Sequence, residues 1–180
     1  NMKSNEFEKI KLKLPKKDSL YKEDYKFSKC VIYNSNAYLF NVSYPAIIRL
    51  NLDDYTIDYI DKWINYFKLD EKNKEKVYFR NICREGNYVY LASCCSNIVI
   101  DFDLESEEIS AHKVGKENNF FSDIAISGNK IYLSLLLENK LIILEKKNWI
   151  EIGKIEIENK LSVSIEMKEW NNKIFYFPNY

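Results

Sequence analysis

Glycine, proline, histidine and arginine are all scarce in this chain of 180 residues. Four glycines leave no phosphate-cradling glycine loop, and no Gly-x-Ser-x-Gly elbow is present. The one histidine, His112, excludes a histidine triad or a polyhistidine metal site within one chain, and His-Glu-x-x-His is absent. Arginine occurs only as Arg49, Arg80 and Arg84, which argues against a phosphate-reading surface, since bidentate contacts favour that side chain. Charge of neither sign is in excess, 27 basic residues against 27 acidic, so no broad field draws nucleic acid or an anionic membrane. No apolar run approaches a membrane span and no segment has the order of a signal peptide, so a cytoplasmic setting is expected. Cys30, Cys83, Cys94 and Cys95 contain no Cys-x-x-Cys, and reduced thiols fit that setting. The alternative is a secreted protein with a Cys30–Cys83 bridge, where Asn41-Val-Ser43 would accept a glycan. No metal or cofactor is expected from these patterns.

What the chain has instead is aromatic residues, 15% of the total, and a repeat. Phe121-Ser-Asp-Ile-Ala-Ile-Ser-Gly-Asn-Lys-Ile-Tyr-Leu133 matches Phe79-Arg-Asn-Ile-Cys-Arg-Glu-Gly-Asn-Tyr-Val-Tyr-Leu91, forty-two residues earlier. A weaker copy starts at Phe27, another fifty-two back, and a fourth at Ser164. Each copy reads as two short strands joined by a tight turn, with Gly-Asn marking the turn in the second and third. A third apolar strand follows at Ala46–Leu52, Asn97–Leu104 and Lys140–Leu144, and a fourth around Thr56–Ile60, Glu108–Val114 and Ile152–Ile157. Four short strands every forty-odd residues is the pattern of a propeller blade. The expected fold is therefore all-β: β-propeller-type repeats of four-stranded antiparallel meanders, about four blades in one domain over residues 1–180.

The repeats run over about 27–76, 77–118, 119–160 and 161–180. The last holds only two strands. Residues 7–14 alternate Ile10, Leu12 and Leu14 with Lys9, Lys11 and Lys13, a half-buried strand ended by Pro15, and could complete that last blade. A partial propeller, or a homodimer completing a ring, is the competing arrangement. The first repeat is ten residues longer than the second, and Trp63, Ile64 and Phe67 in the excess could line one side of a short helix.

At these residues the chain resembles the degenerate repeats of bacterial WD40-like propellers. The motif is Phe-x-x-Ile, then Gly-Asn-x-Ile/Val-Tyr-Leu, then an apolar strand ending near Asp-Leu. The Trp-Asp and Gly-His pairs of true WD40 blades are missing. The resemblance implies a ring scaffold whose axis or upper face binds a ligand, peptide or protein, and it supports no particular reaction.

Candidate sites follow from the repeat. First strands of propeller blades line the central channel, so Lys29, Asn81, Asp123 and Glu166, with Arg80, are expected to converge as a polar axial cluster. The plain alternative is a water-filled channel of self-neutralising charges. Trp63, Tyr66 and Phe67, in a segment the ring does not need, are candidate partner anchors. Tyr33, Tyr38, Tyr88, Tyr90, Tyr132, Phe175 and Tyr176 are expected to pack sheet against sheet. Cys30 and Cys83 are expected on buried strands, and His112 at the surface. The functional expectation is a non-catalytic interaction or ligand-binding module with a protein or small-molecule partner. Beside it stand a carbohydrate-active hydrolase or lyase using channel carboxylates, and a fragment of a larger propeller with no autonomous role.

Overall fold

The computed structural model describes residues 27–41, 43–67, 77–157 and 164–179. The strand expected at residues 7–14 and the charged stretch at 70–76 lie outside the described residues. Fourteen strands are seen. Sheet one holds β1 (Phe27–Tyr33), β2 (Asn36–Asn41), β3 (Ile47–Asn51) and β4 (Ile57–Ile60). Sheet two holds β5 (Phe79–Glu85), β6 (Tyr88–Ser93), β7 (Ile98–Asp103) and β8 (Ile109–Lys113). Sheet three holds β9 (Phe121–Ser127), β10 (Lys130–Leu135), β11 (Lys140–Glu145) and β12 (Ile150–Glu156). The last sheet is a hairpin of β13 (Ser164–Trp170) and β14 (Lys173–Asn179). Every sheet is an antiparallel meander in chain order. A short 3₁₀ helix, Lys62–Tyr66, occupies the excess of the first repeat.

The first strands adjoin one another in sequence: β1 meets β5, β5 meets β9, and β9 meets β13. The sheets are thus arranged about their inner strands as in a propeller. No comparable contact joins β13 to β1, so the arc is not closed among the described residues. Neighbouring sheets share apolar cores. Val31, Tyr38, Phe40 and Ile47 of sheet one pack with Val89, Leu91, Ile100 and Phe102 of sheet two. Val99 and Tyr90 of sheet two pack with Ile124, Ile131 and Leu133 of sheet three. Ala125 and Leu141 pack with Met167, and Tyr132 and Ile174 lie against them. Burial of this kind contributes about 25 cal/mol per Å² of apolar surface, which makes sheet-to-sheet contact the main stabilising term.

Two kinds of turn repeat as faithfully as the strands. Between the first two strands the leading turn residue has positive φ in every sheet, at Asn34 (51°), Gly86 (59°), Gly128 (57°) and Asn171 (51°). Asn and Gly are the residues that enter this region at least cost. Between strands three and four, Tyr55, Glu107 and Trp149 each adopt a left-handed φ near 60° and donate their N–H to the carbonyl four residues back. Two of these side chains reach the preceding sheet: Glu107 to Tyr38, and Trp149 to Tyr90 and His112.

The aromatics divide more unevenly than expected. Tyr38 and Tyr90 are buried and Tyr33 and Tyr132 half-buried, but Tyr88, Phe175 and Tyr176 are exposed. Phe175 and Tyr176 belong to the hairpin, which has no third strand among the described residues to cover them. Cys30 is exposed and Cys83 half-buried, and all four cysteines are free thiols, so the Cys30–Cys83 bridge is not formed. No helix among the described residues is long and apolar enough to cross a membrane.

Candidate functional site

Two regions bring polar side chains together. The first is the inner-strand face, where the axial cluster was expected. A β-bulge interrupts the start of β1, β5 and β9, at the residues that were expected to point inward together. A bulge adds one unpaired residue and re-aims its neighbours. Equivalent positions nevertheless differ in burial: Lys29 and Arg80 are exposed, Asn81 and Glu166 half-buried, and Asp123 buried where β13 packs beside β9.

Asp123 is the hub of this face. Its Oδ1 accepts the N–H of Ile124 at 2.8 Å, and its Oδ2 accepts the N–H of Met167 in β13. Burial nevertheless dominates and pushes its carboxyl up to about 6, the two N–H donors acting in the opposite sense. Glu166 pairs with Lys168 at 2.9 Å, and that contact holds its carboxyl below the usual range, with a smaller contribution from Lys29. Lys29, Asp123 and Glu166 thus share one neighbourhood across β1, β9 and β13. Arg80 lies beside Cys94, whose thiol burial pushes up to about 12 against the lowering influence of Arg80, with Asp123 adding a smaller rise. The Cys83 thiol is likewise raised to about 11 by burial. Thiols held protonated in this way are poor nucleophiles. An open depression of about 460 Å³ runs beside these strands, lined by Cys83, Arg84, Glu85, Met167, Lys168 and Glu169 among others.

The second region is a groove of about 720 Å³ between sheets one and two. Its floor is a clasp centred on Arg49. Nη2 and Nε of Arg49 donate to Asp58 Oδ2 at 2.5 and 3.2 Å, and Nη1 donates to Glu107 Oε1 at 2.7 Å. The same Glu107 oxygen accepts the Tyr38 hydroxyl at 2.9 Å. Burial, then Glu107, pushes that phenol up to about 12, so it stays a donor. Asp58, Asp61, Glu107 and Glu108 line the groove against Arg49 and Lys62, four carboxylates to two cations. Tyr59 and Tyr66 stand exposed at its wall, and the Tyr66 hydroxyl donates to the carbonyl of Ile109 at 3.3 Å.

The expected anchor of Trp63, Tyr66 and Phe67 is therefore corrected. Trp63 is 0% and Phe67 7% exposed, buried against Tyr78 and Phe79. A 3₁₀ turn has three residues per turn, and this one sets Trp63 inward and Tyr66 outward, so only Tyr66 can meet a partner. His112, expected at the surface, is half-buried: its ring stacks on Trp149 at 3.8 Å and Nε2 lies 3.1 Å from Asp101. Among the described residues no group of three or more His, Cys, Asp or Glu is placed to hold a metal ion. The contacts of Glu107 with Tyr38 and Arg49 were not read from the sequence. Aligning the third-to-fourth strand turns by the fifty-two-residue offset places Glu107 opposite Tyr55, which is the signal that would have found them.

No protein family matches this sequence, and no curated protein matches it. Solved structures do match by shape. Virginiamycin B lyase from Staphylococcus aureus aligns with a TM-score of 0.63 at 12% identity, covering 88% of this chain and 50% of that one. The glutaminyl cyclase of Myxococcus xanthus aligns at 0.56 and 10% identity over 86% of this chain and 62% of that one. Hydrazine synthase of Kuenenia stuttgartiensis aligns at 0.56 and 12% identity over 86% and 46%. The chain spans about half the length of these structures. At such identities the likeness concerns fold alone: this is an all-β chain of propeller-type sheets set in an open arc.

Proposed function

We propose that this protein is a non-catalytic interaction module whose binding surface is the acidic groove between sheets one and two, and that its partner presents a basic, extended segment. The observation that carries this reading is the groove itself, which joins exposed Tyr59 and Tyr66 to an excess of carboxylates. Arg49 is already engaged by Asp58 and Glu107, so Asp61 and Glu108 face solvent with only Lys62 to offset them. Tyrosine rings beside carboxylates suit lysine and arginine side chains, which bring both a cation and an apolar stem. The hydrolase or lyase reading draws less support. Its two best carboxylates are committed, Asp123 to two backbone N–H groups and Glu166 to Lys168.

Titration with an oligolysine peptide tests the proposal. Binding is expected at low salt, weakening as ionic strength rises. The double variant Asp61→Lys/Glu108→Lys, which leaves the Arg49 clasp intact, should weaken it at least about tenfold. Binding that is unchanged in that variant, or no binding at millimolar peptide, would overturn the assignment. The open arc and the half-length overlap with known propellers favour a second reading, in which another copy of the chain or further sequence completes a ring.

A further inference from the structure

Sheet two ends in β8, and among the described residues β8 pairs with β7 alone. The register fixes which of its backbone groups look outward. Asp103 donates its N–H to the carbonyl of Glu108 at one end of the pair, and Val114 donates to Asn97 at the other. Bonded and non-bonded pairs alternate along an antiparallel ladder, so Ser110 with Asp101 and His112 with Val99 are the bonded pairs between them. Ile109, Ala111 and Lys113 stand at the positions that turn N–H and C=O away from β7. One of these groups already has an outside partner. The carbonyl of Ile109 accepts the Tyr66 hydroxyl at 3.3 Å, from the end of the 3₁₀ helix.

This edge borders the acidic groove, which Ile109 and Ser110 line together with Asp61, Glu107 and Glu108. The chain carries one sign of charge throughout this stretch. Residues 85–112 include Glu85, Asp101, Asp103, Glu105, Glu107 and Glu108, with neither lysine nor arginine. Edges that stay unpaired are commonly guarded by lysine, and here the first such guard is Lys113, at the last residue of the strand.

We propose that the basic partner binds by strand addition, an extended segment of lysine or arginine alternating with uncharged residues lying along the outer edge of β8 as a fifth strand of sheet two. This rests on the groove being the binding surface, and adds how the partner is held. Main-chain bonds to Ile109, Ala111 and Lys113 set the register, and side chains supply the selection. Ile109 and Ala111 pack against the core shared with sheet one, whereas His112 faces Trp149 of sheet three. Alternate residues of the incoming strand therefore meet different surroundings. Those level with Ile109 and Ala111 enter the groove, where Asp61 and Glu108 receive their cations. An incoming N–H also takes over the Ile109 carbonyl, which displaces the Tyr66 hydroxyl.

Titration with the peptide Lys-Thr-Lys-Thr-Lys-Thr tests the binding mode. The Ala111 N–H lies outside the ladder of sheet two, so Ala111→Pro removes an outward donor without breaking a bond to β7, and leaves every charge in place. That variant should bind the peptide at least about tenfold more weakly. Tyr66→Phe keeps the ring but drops the competing hydroxyl, and should tighten binding about threefold. Hydrogen exchange at Ala111 and Lys113 should slow at least about tenfold when the peptide binds the parent chain. A peptide of the same sequence N-methylated at every amide has the same charge and cannot pair, so it repeats the test should the proline variant fail to fold. Equal affinity for the two peptides, or unchanged exchange at Ala111 and Lys113, would overturn strand addition. The variant Asp61→Lys/Glu108→Lys separates the two claims. Binding lost there but indifferent to Ala111→Pro and to N-methylation would keep the groove and reject the added strand. No binding to the parent at millimolar peptide would reject both.

Discussion

Trp63 shows how far a single side chain can depart from its sequence context. It sits in the stretch the repeat does not require, yet its ring meets Phe67, Tyr78 and Phe79 edge-on at 5.1 to 5.5 Å and is fully buried. Trp63→Ala should cost about 3–5 kcal/mol in denaturant unfolding, the usual loss for a large buried aromatic. Oligolysine affinity at the groove should be unaffected under conditions where the variant is folded. Asp123 makes a second prediction at this scale. Its folded pKa of about 6 lies above the ordinary carboxylate value of 3.8, so the native state holds the proton more tightly than the unfolded chain. The stability this group contributes is complete below about pH 4 and is lost as pH rises through 6. A two-unit shift corresponds to about 3 kcal/mol. Asp123→Asn should remove that dependence, so that the difference in unfolding free energy between parent and variant changes between pH 4 and 7 and is flat above. A constant difference across that range would refute the assignment.

At the scale of elements, the turns between third and fourth strands lock sheet two to sheet one and sheet three to sheet two. Trp149 stacks on His112 with the rings 9° from parallel and lies 6.2 Å from Tyr90, while Glu107 binds Tyr38 and Arg49. A double-mutant cycle on His112→Ala and Trp149→Ala should give a coupling energy of about 0.5–1.5 kcal/mol. No coupling would mean the stack is incidental. These turns also mark what could be read from residues alone. All four first strands begin where the repeat placed them, at Phe27, Phe79, Phe121 and Ser164, because strand alternation and Gly or Asn at positive φ are local properties. The inward cluster could not be read the same way. A bulge leaves little trace in sequence, and the same bulge leads to exposed Lys29 in β1 and to buried Asp123 in β9, where β13 packs alongside. Burial of Trp63 and exposure of Phe175 were equally hidden, since each depends on which sheet lies alongside.

At the scale of the whole molecule the decisive feature is the open arc. Sheets one to three and the hairpin touch in order, with no comparable contact from β13 back to β1. The hairpin also bears Trp170, 65% exposed, beside Phe175 at a ring separation of 6.0 Å. An uncovered aromatic surface of this sort favours association. Sedimentation of the chain should show a mass above that of the 21.5 kDa monomer as concentration rises, and Trp170→Glu should return it to the monomer. A monomer at every concentration would leave ring completion by a second copy without support.

The clasps have a consequence for biosynthesis. Tyr38 is secured by a glutamate that leaves the ribosome sixty-nine residues later, and Tyr90 by a tryptophan of the following repeat. Chains emerge at about 5–20 residues per second, so each sheet waits several seconds for the side chain that fastens it. Maturation during translation would therefore always trail by one repeat, and a ribosome stalled within sheet two would carry a first sheet that is formed but unlatched.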